Sequence, residues 1–161
     1  MCKLSYIRKG GAYMIAEVIE VATEEQLEQC LNIRKDVFVA EQHVPLDIEV
    51  DEYDRLDSEC SHMLLQVEGQ FAATGRLKWL DGTTAKLQRI AVRKAFRGTG
   101  VGRTLMVALE QLARANGATK SVLDAQCQAE GFYQSLGYLT VSEVPFDDAN
   151  IPHVRMEKSL A

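Results

Sequence analysis

The chain has 161 residues, 47% of them hydrophobic and 25% charged, with a formal net charge of −5. That is enough chain for one domain with a core of its own, while the acidic balance excludes general nucleic-acid binding, which needs a basic face. No apolar run approaches the roughly 20 residues of a membrane-spanning helix, so no membrane partner is expected.

The four cysteines (Cys2, Cys30, Cys60, Cys127) are scattered, and three histidines accompany them. Neither a disulfide framework nor a structural zinc follows from that spacing, and a reducing, cytoplasmic setting fits it best.

Residues 1–13 have no clear period, and a regular pattern begins only near Met14. Lys9-Gly10-Gly11 back-translates to AAR-GGN-GGN, which can spell a bacterial ribosome-binding sequence shortly before Met14. Two readings stand side by side: a non-native or disordered leader, or a genuine short extension. Residues 14–161 then read as a single domain.

Ala16–Val21 predicts a β-branched strand. Thr23-Glu24-Glu25-Gln26 is a capping box, and Leu27, Cys30, Leu31, Arg34 and Phe38 follow at helical spacing, so the helix is expected to reach about Val39. Residues 40–61 read as irregular and acidic. Strands are predicted at His62–Glu68 and Phe71–Trp79, the second with Phe71, Ala73, Leu77 and Trp79 on one face. Asp81-Gly82 is a hairpin signal.

The strand Thr84–Val92 has apolar residues at odd positions early (Ala85, Leu87) and at even positions late (Ile90, Val92). A change of parity means one inserted residue, and a β-bulge near Gln88–Arg89 is the simplest account. The chain then runs through Arg97-Gly98-Thr99-Gly100-Val101-Gly102 into a helix with Leu105, Met106, Ala108, Leu109, Leu112 and Ala113 as its buried stripe and Gly117 past its end. A strand at Lys120–Asp124, a helix across Gln126–Leu136 and strands at Tyr138–Val144 and His153–Glu157 complete a mixed α/β domain.

Between Lys86 and Arg103 there are six basic residues and no acid. Glycines opening a helix, in a basic segment, describe an anion cradle: free amides and the helix dipole favour phosphate, and no Cβ keeps the backbone away. It is not a P-loop, because Gly100-Val101-Gly102-Arg103-Thr104 lacks the lysine. Nor is it a Rossmann loop, because the glycines fall at 98, 100 and 102.

The run Leu87–Val92, the Arg97–Gly102 loop before its helix, and the block Phe132-Tyr133-Gln134-Ser135-Leu136-Gly137-Tyr138 together resemble the GNAT superfamily of acetyltransferases. Phe38-Val39-Ala40-Glu41-Gln42, Pro45, Asp54, Arg76, Ala125-Gln126, Ile151-Pro152-His153 and Met156 are similar to its bacterial ElaA/YjcF-type branch. The resemblance implies the GNAT fold, a central, mostly antiparallel sheet flanked by helices, with a bulged strand splayed from its neighbour. It implies acetyl-CoA as cosubstrate and an amine as acceptor, and a homodimer is common among such proteins.

Residue by residue, the resemblance implies that amides of Ile90, Ala91 and Val92 hold the thioester and pantetheine arm. Arg97 with the amides of Gly98, Thr99, Gly100, Val101 and Gly102 would hold the pyrophosphate. Gln126 stands where many members have Asn and would bond the pantetheine. Tyr133 matches the tyrosine aimed at the sulfur, where a phenol can protonate the departing thiolate. No residue matches the family's glutamate base. Glu41, His62 and His153 are the candidates, with His153 preferred as catalytic, and Glu41, His62 and Arg76 are expected to face the substrate.

Asp47, Glu49, Asp51, Glu52, Asp54, Asp57 and Glu59, against Arg55 alone, read either as a solvated loop or as an acidic wall that attracts a cationic amine. Cys127 reads as a structural thiol. An acyl-CoA-binding sensor without turnover, or an acyltransferase with another acyl group or acceptor, stays open.

Overall fold

Residues 2–161 are described by a computed structural model, in which the chain folds around one nine-stranded sheet of order β1-β2-β3-β4-β5-β6-β9-β7, with β8 paired to β9. Among the described residues no helix is long and apolar enough to cross a membrane.

Strands β1 (Cys2–Lys9) and β2 (Ala12–Glu20) form a hairpin. Gly10 and Gly11 turn it with φ of 59° and 84°, both left-handed, which a two-residue turn of this kind needs and glycine adopts without strain. The Gly-Gly pair therefore has a structural use. Of the two readings of residues 1–13, disorder does not fit the described residues, which form an ordered strand with Ile7 buried.

The capping box forms as predicted: Thr23 Oγ1 accepts from the Gln26 amide while Gln26 Oε1 accepts from Thr23 N. Helix α1 (Glu24–Arg34) passes into a π-helical segment at Lys35–Glu41, slightly beyond the expected end. After the short α2 (Leu46–Glu49) come β3 (Ser61–Val67), β4 (Gln70–Trp79) and β5 (Thr84–Val92). Helix α3 (Val101–Ala115) ends with Gly117 at φ 95°. Then follow β6 (Lys120–Gln126), a 3-10 turn at Cys127–Ala129, α4 (Glu130–Ser135), β7 (Leu139–Thr140), β8 (Phe146–Asp148) and β9 (Ile151–Ser159). The strand expected over Tyr138–Val144 is shorter, and β8 was not foreseen.

Helix α3 covers one face of the sheet. Its Leu105, Met106, Leu109 and Ala113 pack in one cluster with Leu65, Ala73, Leu77, Leu87 and Leu123, each large side chain contributing about 2 kcal/mol by leaving water. Gly75 makes that approach possible, since a Cβ there would lie 2.7 Å from Leu109 Cδ1. Helix α1 and the π-helical segment cover the other face, with Cys30, Ile33 and Val37 on Leu64 and Ala91. Phe71 packs on this α1 side rather than with Ala73, because the β3–β4 register shifts by one residue at Ala72. A bulge reverses the alternation of faces.

The parity change in β5 is a bulge as read. Thr74 pairs with Ala91 but Arg76 with Gln88, and Arg89 takes a left-handed φ of 55°. Strands β5 and β6 are parallel and pair only from Thr84↔Lys120 to Lys86↔Val122. Beyond Lys86 they diverge, and among the described residues no strand lies opposite the backbone of β5 on that side.

Candidate active site

The diverging strands open a cavity of about 840 Å³, within the range of small-molecule sites. Leu87, Leu123 and Tyr133 line it from the α3 side, while Ala91, Asp124, Gln126 and His153 line it from the α1 side. The π-helical segment brings Val37, Phe38 and Glu41 to its wall, with Gln42 following. A π-turn spaces residues i and i+4 or i+5 on one side, and such turns recur at functional sites.

At one end is the glycine loop. Gly98 and Gly100 have φ of 76° and 90°, and a Cβ at either would meet nothing within 4 Å, so the glycines leave open space against the cavity. No side chain caps α3, and its first intrahelical bond runs from Thr104 N to Gly100 O. The amides of Val101, Gly102 and Arg103 thus lack helical partners at the positive end of a 15-residue helix. This fits a pyrophosphate. Gly102 has a different reason to be glycine: a Cβ there would lie 3.2 Å from the Phe132 ring. The Thr99 hydroxyl donates to the Phe96 carbonyl and closes the turn.

The basic excess seen in the sequence is largely neutralised by acids from other elements. Lys86 pairs with Asp124, Arg89 with Glu49 and Asp51, Arg93 with Asp36, and Arg97 with Glu41. Arg97 also donates to Val92 O at 3.1 Å, tying the loop to the end of β5. Arg103, at the cavity wall, donates to the Ser135 carbonyl and pairs with no acid among the described residues.

Tyr133 is buried edge-on between Phe132 and Tyr138, with ring centroids 5.1 and 6.0 Å away. Its hydroxyl bonds no described residue, and burial pushes the phenol up to about 12, so it stays protonated at neutral pH. Gln126 crosses to Gln42 in a reciprocal amide pair, at 2.8 and 3.3 Å, on the cavity wall.

His153 lies opposite Gln126 in the β6–β9 ladder. Its Nδ1 is 2.6 Å from the Ile151 carbonyl, which can only accept. Nδ1 therefore carries the proton, and Nε2 of the neutral ring keeps a lone pair. Phe146 stacks on the ring at 6.2 Å.

His62 and Arg76 do not line the cavity. His62 is buried against the Tyr53 carbonyl at 3.0 Å, and burial pulls its pKa down. Arg76 is enclosed by Asp51, Asp54 and Gln88. Glu41 reaches the wall but holds Arg97 at the loop end. Cys127 is half-buried and off the cavity.

The acidic stretch is neither simply solvated nor a free acidic wall. Arg34, in the apolar stripe of α1, pairs with Glu49 at 2.8 Å and Asp54 at 2.6 Å, all three buried. Burial would raise the Asp54 pKa, but the Arg34 hydrogen bond and charge prevail and hold it near about 2. The bulge residue Arg89 donates to the carbonyls of Glu49 and Ile48 at 3.3 and 3.4 Å. The loop is thereby fastened to the bulge and carries Val44 and Ile48 to the cavity. An arginine at an apolar helix position, followed by an acid-rich loop, was the signal for this network.

Comparison with known proteins supports the fold. The Acetyltransferase (GNAT) domain family matches residues 18–160. A Bacillus subtilis (strain 168) protein, Uncharacterized N-acetyltransferase YjcF, is 43% identical over 135 residues, covering 84% of this chain and 94% of its own. The crystal structure of a putative N-acetyltransferase from Lactobacillus plantarum superposes with a TM-score of 0.83 at 30% identity, over 91% of this chain and 99% of the other. That of Escherichia coli ElaA gives 0.77 at 28%, over 90% and 99%.

Proposed function

Because the chain belongs to the GNAT acetyltransferase family and is an acyltransferase, we propose that it moves an acetyl group from acetyl-CoA to an amine by direct attack on the thioester. The observation that carries this reading is the continuous cavity from the uncapped glycine loop to Tyr133 and His153.

The residues divide the work. Amides of Gly98 to Gly102, with Arg97 and Arg103, hold the pyrophosphate. The β5 backbone at Ile90, Ala91 and Val92, beyond the last pair with β6, borders the cavity and bonds the pantetheine arm and thioester carbonyl. Gln126 supplies an amide once it leaves Gln42. Bound acetyl-CoA supplies an electrophilic carbonyl and a thiolate leaving group. His153 Nε2 takes the proton from the acceptor amine, which must be neutral to attack, and Tyr133 gives its proton to the sulfur.

A coenzyme A release assay over an amine panel tests the reading. Acetyl-CoA-dependent release that rises with amine, with an N-acetyl product by mass spectrometry, is the expected result. Tight acetyl-CoA binding with no release on any amine favours a sensor instead.

A further inference from the structure

Four carboxylates line the cavity: Glu41, Glu49, Asp124 and Asp148. Three are neutralised within the chain, Glu41 by Arg97, Glu49 by Arg34 and Arg89, and Asp124 by Lys86 and Arg155. Asp148 has no basic partner among the described residues. Of the cations on the same wall, Arg103 alone lacks an acid among the described residues. Once the internal pairs cancel, the lining keeps one uncompensated positive charge, beside the glycine loop, and one uncompensated negative charge, on the β8–β9 hairpin.

The hairpin fixes where that negative charge stands. Asp148 pairs with Ile151 and Phe146 with His153, and Ala149 and Asn150 turn the chain with left-handed φ of 51° and 62°. Alternation puts Phe146, Asp148, Ile151 and His153 on one face, and Asp147 on the other. Asp148 and His153 are diagonal neighbours on that face, roughly 7–8 Å apart. The π-segment, the turn after it and α2 add Phe38, Val44 and Ile48 to the same lining, all of them apolar.

We propose that Asp148 is the specificity-determining residue for the acceptor. It holds a second positive charge on an amine whose reacting nitrogen meets His153, so that the acceptor is a diamine-like dication with an apolar carbon spacer. Positive charge beside the glycine loop suits the phosphates, and negative charge here suits the ammonium. This rests on the N-acetyltransferase reading of the same cavity.

The test uses the intact protein, α,ω-diamines of increasing length and monoalkylamines of matched length. Turnover is read by coenzyme A release, and diamine affinity by titration of the coenzyme A-bound protein. The wild type should favour diamines in kcat/KM, and Asp148→Asn should lower the diamine-to-monoamine ratio about tenfold, mainly through KM. Asp147→Asn, on the opposite face, should leave the ratio in place. Equal use of both amine classes by the wild type overturns the proposal while leaving acetyl transfer intact, as does an equal fall in the Asp147 variant. Asp148-dependent diamine binding without turnover upholds the site and removes the acetyltransferase reading. Absence of diamine binding overturns the proposal outright.

Discussion

Glu41 and Arg97 face each other at 2.8 Å across the loop end of the cavity, each roughly a third or more exposed. The pair holds the loop's arginine in place without a ligand, at the cost of cancelling its charge. Removing the acid should let Arg97 act wholly on phosphate. Glu41→Gln is expected to bind acetyl-CoA about two- to fivefold more tightly, the modest effect of an exposed pair, and less so in high salt. Calorimetry at two ionic strengths measures it. A collapse of kcat in this variant would instead make Glu41 the base.

Gly100 combines a left-handed backbone with open space where its Cβ would stand. Gly100→Asp should raise the acetyl-CoA dissociation constant at least tenfold, since it brings a side chain and a negative charge to the amides that await phosphate. The thermal shift given by acetyl-CoA in the wild type should shrink with it. An unchanged dissociation constant would remove the loop from the binding site.

The Arg34 network predicts where acid unfolds the protein. Asp54 titrates near about 2 when folded and near 3.9 when unfolded, so its stabilisation is complete above about pH 4 and is lost as pH falls toward 2. Asp51 is lowered as well: burial opposes the shift, and Arg76 outweighs it. Glu49 goes the other way, because burial raises its pKa despite Arg34. Asp54→Asn should therefore cost about 3 kcal/mol at neutral pH, the scale of breaking a buried pair, and Glu49→Gln distinctly less. Urea unfolding at pH 7 and pH 3 checks both, and equal costs would refute the asymmetry.

What the sequence made legible was mostly local. The capping box at Thr23, the bulge near Arg89 and the start of α3 each rest on spacing within a few residues, and each is where it was read. What escaped needed partners distant in sequence. The charges of Lys86, Arg89, Arg93 and Arg97 looked unopposed because Asp124, Glu49, Asp36 and Glu41 come from other elements. His62 and Arg76 looked like site residues, and only the fold turns them toward Tyr53 and Asp51. The Gly10-Gly11 turn was overlooked because no strand was read before it, and β8 is too short to carry a period.

Tyr133→Phe removes a hydroxyl that bonds no described residue, so folding and acetyl-CoA affinity should be retained. Turnover should fall about 10²- to 10⁴-fold if the phenol protonates the thiolate. With burial holding the phenol up to about 12, the wild type should show no loss of this acid below about pH 11. Wild-type turnover in the Phe variant would assign the residue to packing with Phe132 and Tyr138.

His153 offers a sharper test, because its tautomer is set by the backbone. The Ile151 carbonyl holds the Nδ1 proton, which leaves Nε2 free to accept one. A base of this kind works only when neutral. Activity at saturating acetyl-CoA should therefore rise with pH to a plateau. His153→Ala should flatten that limb and lower kcat while leaving acetyl-CoA affinity in place, since the ring lies away from the glycine loop. His153→Gln keeps a hydrogen-bonding side chain but cannot take the proton, so it should behave like the alanine variant in its pH profile. A pH–rate profile for all three proteins decides the matter: a limb that survives in both variants belongs to another group, and proton removal would then pass to Glu41 or to water in the cavity.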